Sequence, residues 1–543
     1  MTALRRTLAL LPALALAVGL ALGLAVGLTA APAAAQALKT ERYPALGIPN
    51  VLRPRTFDGV PVQPNEPYIR LQWFERLPDP NRKQDKVRQY RPRVFLVEIP
   101  REVTASRGDG DAGKDGGEPK NPATPPQGPA PRKLRGPVND IHSWLANAYG
   151  GWTASDMGEG KKSPGYTSKI WRLKPPDNDP AGASRTGIAY TWSDASRTVA
   201  IVGISHVDDA KEFEATWLEI GAKLVLADPK VSASERKKLE QQYIGKHSHP
   251  EYRMRVASAA IDPWKVDNSK NYIFVYNTRD QPLLKKVMRD IEAMRETYME
   301  LFPPAADFDA VSTVRICADK EEYLAYGGMQ GSAGYWNSQT EELVLYHYEV
   351  QDGGRKDDAN TFIVLYHEAF HQYIHYSSGE LPPHSWFNEG YGDFFSGALL
   401  TGGKVRKIDV NPWRCGTIQR AIGSGRSVPW KDIIRYNQRQ YYANPAICYA
   451  QGWSMIYFLN RAKQVQSKPE WAKILPTYFD TLKASYRAAL AELGDEPSDG
   501  ARFQAGEKAR ELAVTAAFEG VDLVEIDLAW QAFTLTLTDP RDD

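Results

Sequence analysis

The segment YHEAFHQYIH, residues 366–375, constrains the fold more than any other stretch of the chain. Its histidines His367 and His371 stand four residues apart in an apolar run, so on a helix their imidazoles project from one face at neighbouring heights. Glu368 lies beside that stripe, and aromatic residues such as Phe370 lie on the opposite face. The segment therefore predicts a buried helix that presents two imidazoles and a carboxylate on one side.

This spacing is the H-E-x-x-H arrangement, in which two neutral imidazoles hold a zinc ion and the carboxylate accepts a proton from water. Catalytic zinc needs a third protein ligand and an open coordination position. After the turn SSGELPPHS, the segment WFNEGYGDFF predicts a second helix with Glu389 and, four residues later, Asp393. Glu389 can complete the ligand set, and Asp393 can accept the other ring N–H of His367 and fix its tautomer. The pattern predicts one Zn²⁺ ion bound by His367, His371 and Glu389, with Glu368 as the catalytic base.

The same residues are also compatible with ordinary structural roles. The motif can arise by chance on a core helix, although the chain has only nine histidines in 543 residues. Glu389 can be a surface acid near the start of its own helix, where negative charge is favourable. His375 lies one turn beyond His371, and we expect it to line a cleft, because two histidines and Glu389 already fill the ligand set.

The amino terminus predicts export. Residues 1–37 combine two arginines, a long run of Leu, Ala, Val and Gly, and small residues that offer a cleavage site near Ala35 or Ala37. This is the pattern of a secretory signal peptide, so we expect a periplasmic, cell-envelope or secreted protein. The apolar run is also long enough to cross a bilayer, and membrane contact is expected only if this segment stays uncleaved.

The rest of the chain divides into two main parts. Residues 38–228 predict a small α+β domain, interrupted at 104–136 by a disordered insertion rich in Gly, Pro and charge. A charged connector, 229–269, leads to a domain at 270–480 in which strands come first and helices follow, and 481–543 predict a helical extension. The fold class is α+β with two domains, and the metal motif lies on the helical side of the second domain.

The charge balance bears on the binding partners of the chain, and the cysteine content bears on its disulfides. The 67 basic residues nearly balance 66 acidic ones, which gives a formal net charge of +1 and no bias towards nucleic acid. Three cysteines, Cys317, Cys415 and Cys448, are too few for a disulfide scaffold. A single bridge between Cys415 and Cys448 and a set of buried free thiols are both compatible with the sequence.

HEAFH followed by WFNEGYGD resembles the gluzincin metallopeptidases, the zinc peptidases typified by thermolysin and the membrane alanyl aminopeptidases. In that family a ligand glutamate follows the second histidine at a similar interval, which is eighteen positions here, and an aspartate one turn later supports a histidine. The resemblance covers roughly residues 270–480 and implies a zincin-like domain in an exported bacterial protein. The metzincin pattern requires Gly and His at 374 and 377, where this chain has Ile374 and Ser377.

Two further segments extend the resemblance. CYAQGWSMIYFL, residues 448–459, is similar to the Tyr-x-x-Gly start of the aminopeptidase helix that supplies a tyrosine hydroxyl to the oxyanion. This implies that role for Tyr449, with Tyr441, Tyr442 and Tyr457 as rivals. Upstream, GSAGYWNSQTEELVLY resembles the edge strand that pairs with an extended substrate, but it lacks the acid that anchors a substrate amine in aminopeptidases.

Together these features predict an exported zinc-dependent peptidase that acts on a peptide or protein substrate. Glu368 would assist the attack of water on the scissile carbonyl. The alternative is a non-catalytic cell-envelope binding module that keeps a zincin-like fold. The intact Glu368 favours the enzyme, because a binding module has no need of a base.

Overall fold

The computed structural model describes residues 36–76, 92–100, 134–177, 184–227, 233–260, 263–304, 310–347, 359–494 and 497–538. Residues 1–35 of the predicted signal segment and 104–133 of the predicted insertion lie outside the described residues. Within the described ranges the protein is α+β, as its sequence predicts, with helices and several sheets. No helix in these ranges has both the length and the apolar character that crossing a bilayer requires.

The amino-terminal part is built on a sheet of seven antiparallel strands. The described residues of this part form nine strands, of which seven make the sheet. They are β1 (Leu38–Tyr43), β2 (Ile48–Pro54), β3 (Phe57–Gly59), β4 (Ile69–Glu75), β5 (Arg93–Pro100), β6 (Thr153–Glu159), β7 (Thr167–Lys174), β8 (Arg185–Ser193) and β9 (Arg197–His206). β1 and β2 form a separate hairpin, and the others pair in the order β3-β4-β5-β9-β8-β7-β6. Two helices accompany the sheet, the short α1 (Ile141–Ser143) and the longer α2 (Ala210–Ala222).

Each face of this sheet packs against a different partner, because successive side chains of a strand point to opposite sides. On one face, α2 inserts Phe213 and Trp217 against residues such as Ile201 of β9. The other face, with Val97 of β5 and Val202 of β9, belongs to a cluster that also contains residues of the carboxy-terminal part. The two parts of the chain therefore share one buried apolar cluster.

The second sheet begins inside the range that the sequence predicts as a connector. The structure shows α3 (Ala233–Tyr243), α4 (Pro250–Ala259), β10 (Lys265–Asn268), β11 (Tyr272–Tyr276), α5 (Gln281–Leu301), β12 (Ser312–Cys317), α6 (Lys320–Tyr326), β13 (Gly334–Asn337) and β14 (Glu342–Tyr346). The strand order is β10-β11-β12-β14-β13. β11, β12 and β14 run parallel, and β10 and β13 pair antiparallel at the two edges. Residues 229–269 thus contribute two helices and an edge strand to the fold.

Alternation along the second sheet places its two faces in different cores. Tyr272 and Phe274 of β11 face a large helical core, whereas Ile273 and Val275 face the cluster shared with the amino-terminal sheet. The helix that bears the H-E-x-x-H motif packs in the helical core. The amino-terminal sheet and the motif helix therefore lie on opposite faces of the second sheet.

The remainder is mostly helical. It contains α7 (Ala359–Ser377), α8 (Ser385–Phe395), β15 (Ala398–Thr401), β16 (Lys404–Ile408), α9 (Cys415–Gly423), α10 (Trp430–Ile433), α11 (Gln438–Tyr442), α12 (Pro445–Arg461), α13 (Lys463–Gln466), α14 (Pro469–Ala472), α15 (Ile474–Leu493), α16 (Asp499–Ala517) and α17 (Leu523–Thr534). α15 crosses the position where the sequence predicts an extension to begin, after residue 480. Trp530 of α17 is fully buried and its indole N–H donates to Ser454 Oγ at 3.0 Å, so the last helix belongs to the same core. Cys317, Cys415 and Cys448 are buried, and none of these three described residues forms a disulfide.

A close contact between α8 and α12 positions the second half of the metal motif. Gly390 of α8 faces the backbone of Gly452 in α12, and an added Cβ at 390 would lie 2.6 Å from the Gly452 carbonyl oxygen. Glycine at 390 therefore allows the two helices to approach more closely than any residue with a side chain would. This approach brings α8, which carries Glu389, against the α11–α12 region.

The variant Gly390→Ala tests this contact. The helices must separate to admit the methyl group, and we expect the free energy of unfolding to fall by about 1–3 kcal/mol. Gly500→Ala in α16 is the matched control, because a Cβ there meets nothing within 4 Å; its effect should stay below about 1 kcal/mol. Urea unfolding followed by tryptophan fluorescence measures both, and equal stability of the two variants would contradict the close approach.

Candidate metal centre

The three predicted ligands lie together where α7 faces α8. Glu389 Oε2 is 3.2 Å from His367 Nε2 and 3.3 Å from His371 Nε2. The side chains of the two histidines are each 12% exposed and that of Glu389 is 7% exposed, so the group is largely shielded from water. The structure thus brings together two imidazoles from adjacent turns of α7 and a carboxylate from α8, and this carboxylate does not face bulk solvent.

The spacing of these atoms suits a divalent ion. An ion about 2.1 Å from two ligand atoms in tetrahedral geometry holds those atoms about 3.4 Å apart. The Oε2–Nε2 distances of 3.2 and 3.3 Å are close to this value, and ligand atoms of all three residues lie within 4.8 Å of one another. Two nitrogens and one oxygen suit zinc and other first-row divalent ions. The residues therefore fit one divalent ion, and the donor set alone does not single out zinc.

Both histidines are oriented through their second ring nitrogen. Asp393 Oδ1 lies 3.3 Å from His367 Nδ1, the contact that the sequence predicts. Asn388 Oδ1 lies 3.1 Å from His371 Nδ1, a contact that sequence reasoning missed. An acceptor at each Nδ1 holds the proton there and leaves the Nε2 lone pair for a ligand role. The signal for Asn388 was present in the sequence, because it directly precedes Glu389 on the same helix.

Asp393 has a further partner from outside both motif helices. Arg414 donates to Asp393 through Nε, at 2.7 Å to Oδ2, and through Nη2, at 3.2 Å to Oδ1. This two-point ion pair fixes the orientation of the Asp393 carboxylate. Asn411 Nδ2 donates to the Asp393 backbone carbonyl at 2.9 Å. No sequence signal points to Arg414, because only the tertiary packing brings residues 393 and 414 together.

The packing of the His367 ring explains why residue 392 in the NEGYGD segment is a glycine. A Cβ at 392 would lie between 2.8 and 2.9 Å from three atoms of the His367 ring. The imidazole therefore packs directly on the backbone of α8, which places Nε2 beside Glu389 and Nδ1 beside Asp393.

Glu368, the predicted base, is tied to the edge of the second sheet. Its Oε2 accepts the backbone N–H of Trp336 in β13 at 2.8 Å. Its charge also helps to raise the pKa of both His367 and His371, which reflects its position next to them. The indole of Trp336 in turn packs on His375, with ring centroids 5.6 Å apart. Sequence reasoning placed an edge strand here but did not connect it to Glu368.

The tyrosines of α11 and α12 take different positions. Tyr442 donates its hydroxyl proton to Glu389 Oε1 at 2.6 Å. Tyr449, whose role as oxyanion donor stays a prediction, stacks on Tyr442 with centroids 5.9 Å apart and planes 20° apart. Tyr441 instead donates to the Cys448 carbonyl at 2.6 Å in the core. Among the rivals of Tyr449, Tyr442 is thus the one that hydrogen-bonds to a predicted metal ligand.

Hydrogen bonds within the group shift the pKa of each ligand. Burial lowers the pKa of His367, but hydrogen bonds to Asp393 and Glu389 outweigh burial and raise it to about 10. Burial also lowers the pKa of His371, and the nearby charge of Glu389 raises it overall. For Glu389, burial acts to raise the pKa, yet the two imidazoles hold it well below its usual range. A bound ion would compete with protons for these ligands.

Comparison with known proteins leaves the family open. No protein-family model and no curated protein matches the chain. Among solved structures, the solution structure of cyanobacterial PsbP from Synechocystis sp. PCC 6803 is similar at 11% sequence identity and a TM-score of 0.22, covering 38% of this chain and 98% of that chain. A likeness with so low a score carries no conclusion about fold or function.

The raised pKa of His367 predicts how stability depends on pH. The folded state binds this proton more tightly than the unfolded chain, whose histidine pKa is about 6.5. Its stabilising effect is therefore complete below about pH 6.5 and is lost as pH rises through about 10. We expect the Tm of chelator-treated protein to fall over this window, and to fall less with one equivalent of a divalent ion, because a ligated imidazole no longer carries the proton.

Thermal unfolding at a series of pH values, with and without chelator, measures this difference. Asp393→Asn is an informative comparison, because it replaces the carboxylate that does most to raise the pKa of His367 with a neutral amide, and it should shrink the alkaline loss. Identical pH profiles with chelator and with the ion would show that these imidazoles do not bind metal.

Proposed function

We propose that the protein is an exported zinc-dependent peptidase of the gluzincin type, which hydrolyses peptide bonds in a peptide or protein substrate. The observation that carries the proposal is the convergence of His367, His371 and Glu389, with Glu368 directly beside the two imidazoles. Three protein ligands leave a coordination position open, as catalytic sites do, whereas structural zinc sites are usually closed by four. On this proposal, the second sheet with α7 and α8 corresponds to a zincin-like domain.

In the proposed mechanism the three protein ligands would hold a divalent ion, and Glu368 would transfer a proton from water to the leaving amine. A divalent ion bound by His367, His371 and Glu389 would supply Lewis acidity, which acidifies water and polarises a carbonyl. Glu368 then accepts a proton from the attacking water and delivers it to the leaving amine. The N–H of Trp336 holds Glu368 Oε2, which leaves Oε1 available as the acceptor of that proton.

The rest of the site supports this chemistry by orientation. Asp393 and Asn388 bind the Nδ1 atoms of the two histidines, so both Nε2 atoms face Glu389. Arg414 forms an ion pair with Asp393 at 2.7 Å and holds its carboxylate in place. With two neutral imidazoles, the charges of a divalent ion, Arg414 and the carboxylates of Glu368, Glu389 and Asp393 sum to zero. This charge balance and the hydrogen bonds to each carboxylate offset part of the desolvation cost of burying these groups.

A peptide is the favoured substrate because of the strand next to the base. β13 is the last strand of its sheet, and the Trp336 N–H on its free edge points at Glu368. An extended peptide can add to such an edge through backbone hydrogen bonds and lie across the base and the ligands. Hydrolysis of an amide also requires a proton for the departing nitrogen, which Glu368 can supply.

The variant Glu368→Gln separates the base from the metal ligands. We expect it to lower the cleavage of a mixed peptide library by about 100-fold or more, because the amide cannot take the proton. Its metal content should equal that of the wild type. Glu296→Gln in α5, at an exposed site on another helix, is the matched control and should leave cleavage unchanged. Mass spectrometry of the digest and metal analysis of the purified proteins provide the two measurements.

The possible failures of this test are informative in different ways. Wild-type protein that binds no divalent ion would refute the proposal as a whole. Metal-loaded wild type as inert as Glu368→Gln across the library would favour the non-catalytic envelope-binding module instead. Cleavage that survives in Glu368→Gln would remove this residue from the role of base.

A further inference from the structure

The two oxygens of Glu389 have different partners. Oε2 faces the Nε2 atoms of His367 and His371 at 3.2 and 3.3 Å. Oε1 accepts the hydroxyl proton of Tyr442 at 2.6 Å. A hydrogen bond to a charged carboxylate is shorter and stronger than one between neutral groups. One oxygen is thus available to an ion, and the other is already occupied by a tyrosine.

Tyr442 is held in place by its surroundings even though 38% of the residue is exposed. It ends α11, a short helix that starts with reciprocal hydrogen bonds between Asn437 and Gln440. Its ring stacks on Tyr449, and the guanidinium of Arg414 lies 5.0 Å from the centre of the Tyr449 ring. Arg414 is itself fixed by Asp393. These contacts connect the outer oxygen of Glu389 to the residue that orients His367.

The way in which Glu389 binds decides whether the site can remain open. A carboxylate that binds an ion through both oxygens, together with two imidazoles, already supplies four ligand atoms. A carboxylate that binds through one oxygen supplies three in total and leaves a position for substrate, as catalytic zinc requires. A partner that occupies Oε1 therefore favours the open arrangement.

We propose that Tyr442 is a positioning residue that keeps Glu389 bound through Oε2 alone and so preserves an open coordination position. This inference rests on the metal-binding part of the proposed function. A phenol has one proton to donate, and Tyr442 gives it to Glu389, so Tyr442 acts through the ligand rather than on the substrate.

The variants Tyr442→Phe and Tyr486→Phe form a matched pair, because Tyr486 is a buried tyrosine on a different helix, α15. Each variant removes one hydroxyl and keeps the ring, so the Tyr442–Tyr449 stack is retained and both proteins should fold. With cobalt(II) in place of the native ion, the visible absorption bands report the coordination number, since four-coordinate cobalt absorbs more strongly than five-coordinate cobalt. In Tyr442→Phe both oxygens of Glu389 can bind together with the two imidazoles and the water that fills the fourth position. We therefore expect five-coordinate cobalt with weaker bands in Tyr442→Phe, and wild-type bands in Tyr486→Phe.

Kinetics provide the second readout. Loss of partners of this kind costs about 10- to 100-fold in activity or affinity, and we expect Tyr442→Phe to lose that much in kcat with a smaller change in KM. X-ray absorption of the wild-type zinc protein tests the carboxylate directly and does not depend on the folding of any variant.

Three results would overturn the inference. One is a wild-type cobalt spectrum in Tyr442→Phe, another is an equal spectral change in Tyr486→Phe, and the third is a wild-type glutamate that binds through both oxygens. All three presuppose that the wild-type protein binds metal. Failure of the wild type to bind cobalt or zinc would instead refute the proposed function itself.

Discussion

The burial of the Glu389 carboxylate between two imidazoles is the interaction on which the rest of the site depends. Removing an ionised carboxylate from water costs on the order of several kcal/mol unless opposite charge and hydrogen bonds replace the water. Here both oxygens have partners: the two Nε2 atoms at one and the Tyr442 hydroxyl at the other. The same requirement applies to Asp393, which is 2% exposed and pairs with Arg414. The partners of these acids therefore come from α7, from Tyr442 at the end of α11 and from Arg414 just before α9. The packing of these segments determines the site.

Much of the site follows from local spacing. The four-residue interval between His367 and His371 places both rings on one face of α7. The same interval separates Glu389 from Asp393 and places both acids on one face of α8. These relations hold within single helices, so the sequence alone predicts them. Tyr442, Arg414 and Trp336 come from other segments, and their contacts exist only after the sheet and the helical core have assembled. The sequence named Tyr442 as a rival of Tyr449 and placed Trp336 in an edge strand, but no pattern along the chain predicted their contacts or pointed to Arg414.

The fold likewise contains parts that the sequence predicts and parts that it does not. Strands β11, β12 and β14 are buried at every position, and β11 is wholly apolar, whereas β12 includes Arg315 and β14 begins with Glu342. The sequence predicted that strands come before helices in this part of the chain. The α+β class follows from strands that precede helices, and the structure confirms it. The segment 229–269 was interpreted as a connector because its charged residues hide the helical period of α3 and α4. β10 is a four-residue edge strand with only partial burial, which leaves too short a pattern to identify.

The shared apolar cluster has a consequence for how the protein can mature. Ile273, Val275 and Val344 of the second sheet are fully or almost fully buried against residues of the amino-terminal sheet. If the amino-terminal part were a prosegment discarded after secretion, this whole face would be uncovered to water, and an exposed apolar surface of that kind promotes aggregation. The amino-terminal sheet thus covers one apolar face of the sheet beside the site, and the folded second sheet depends on that cover.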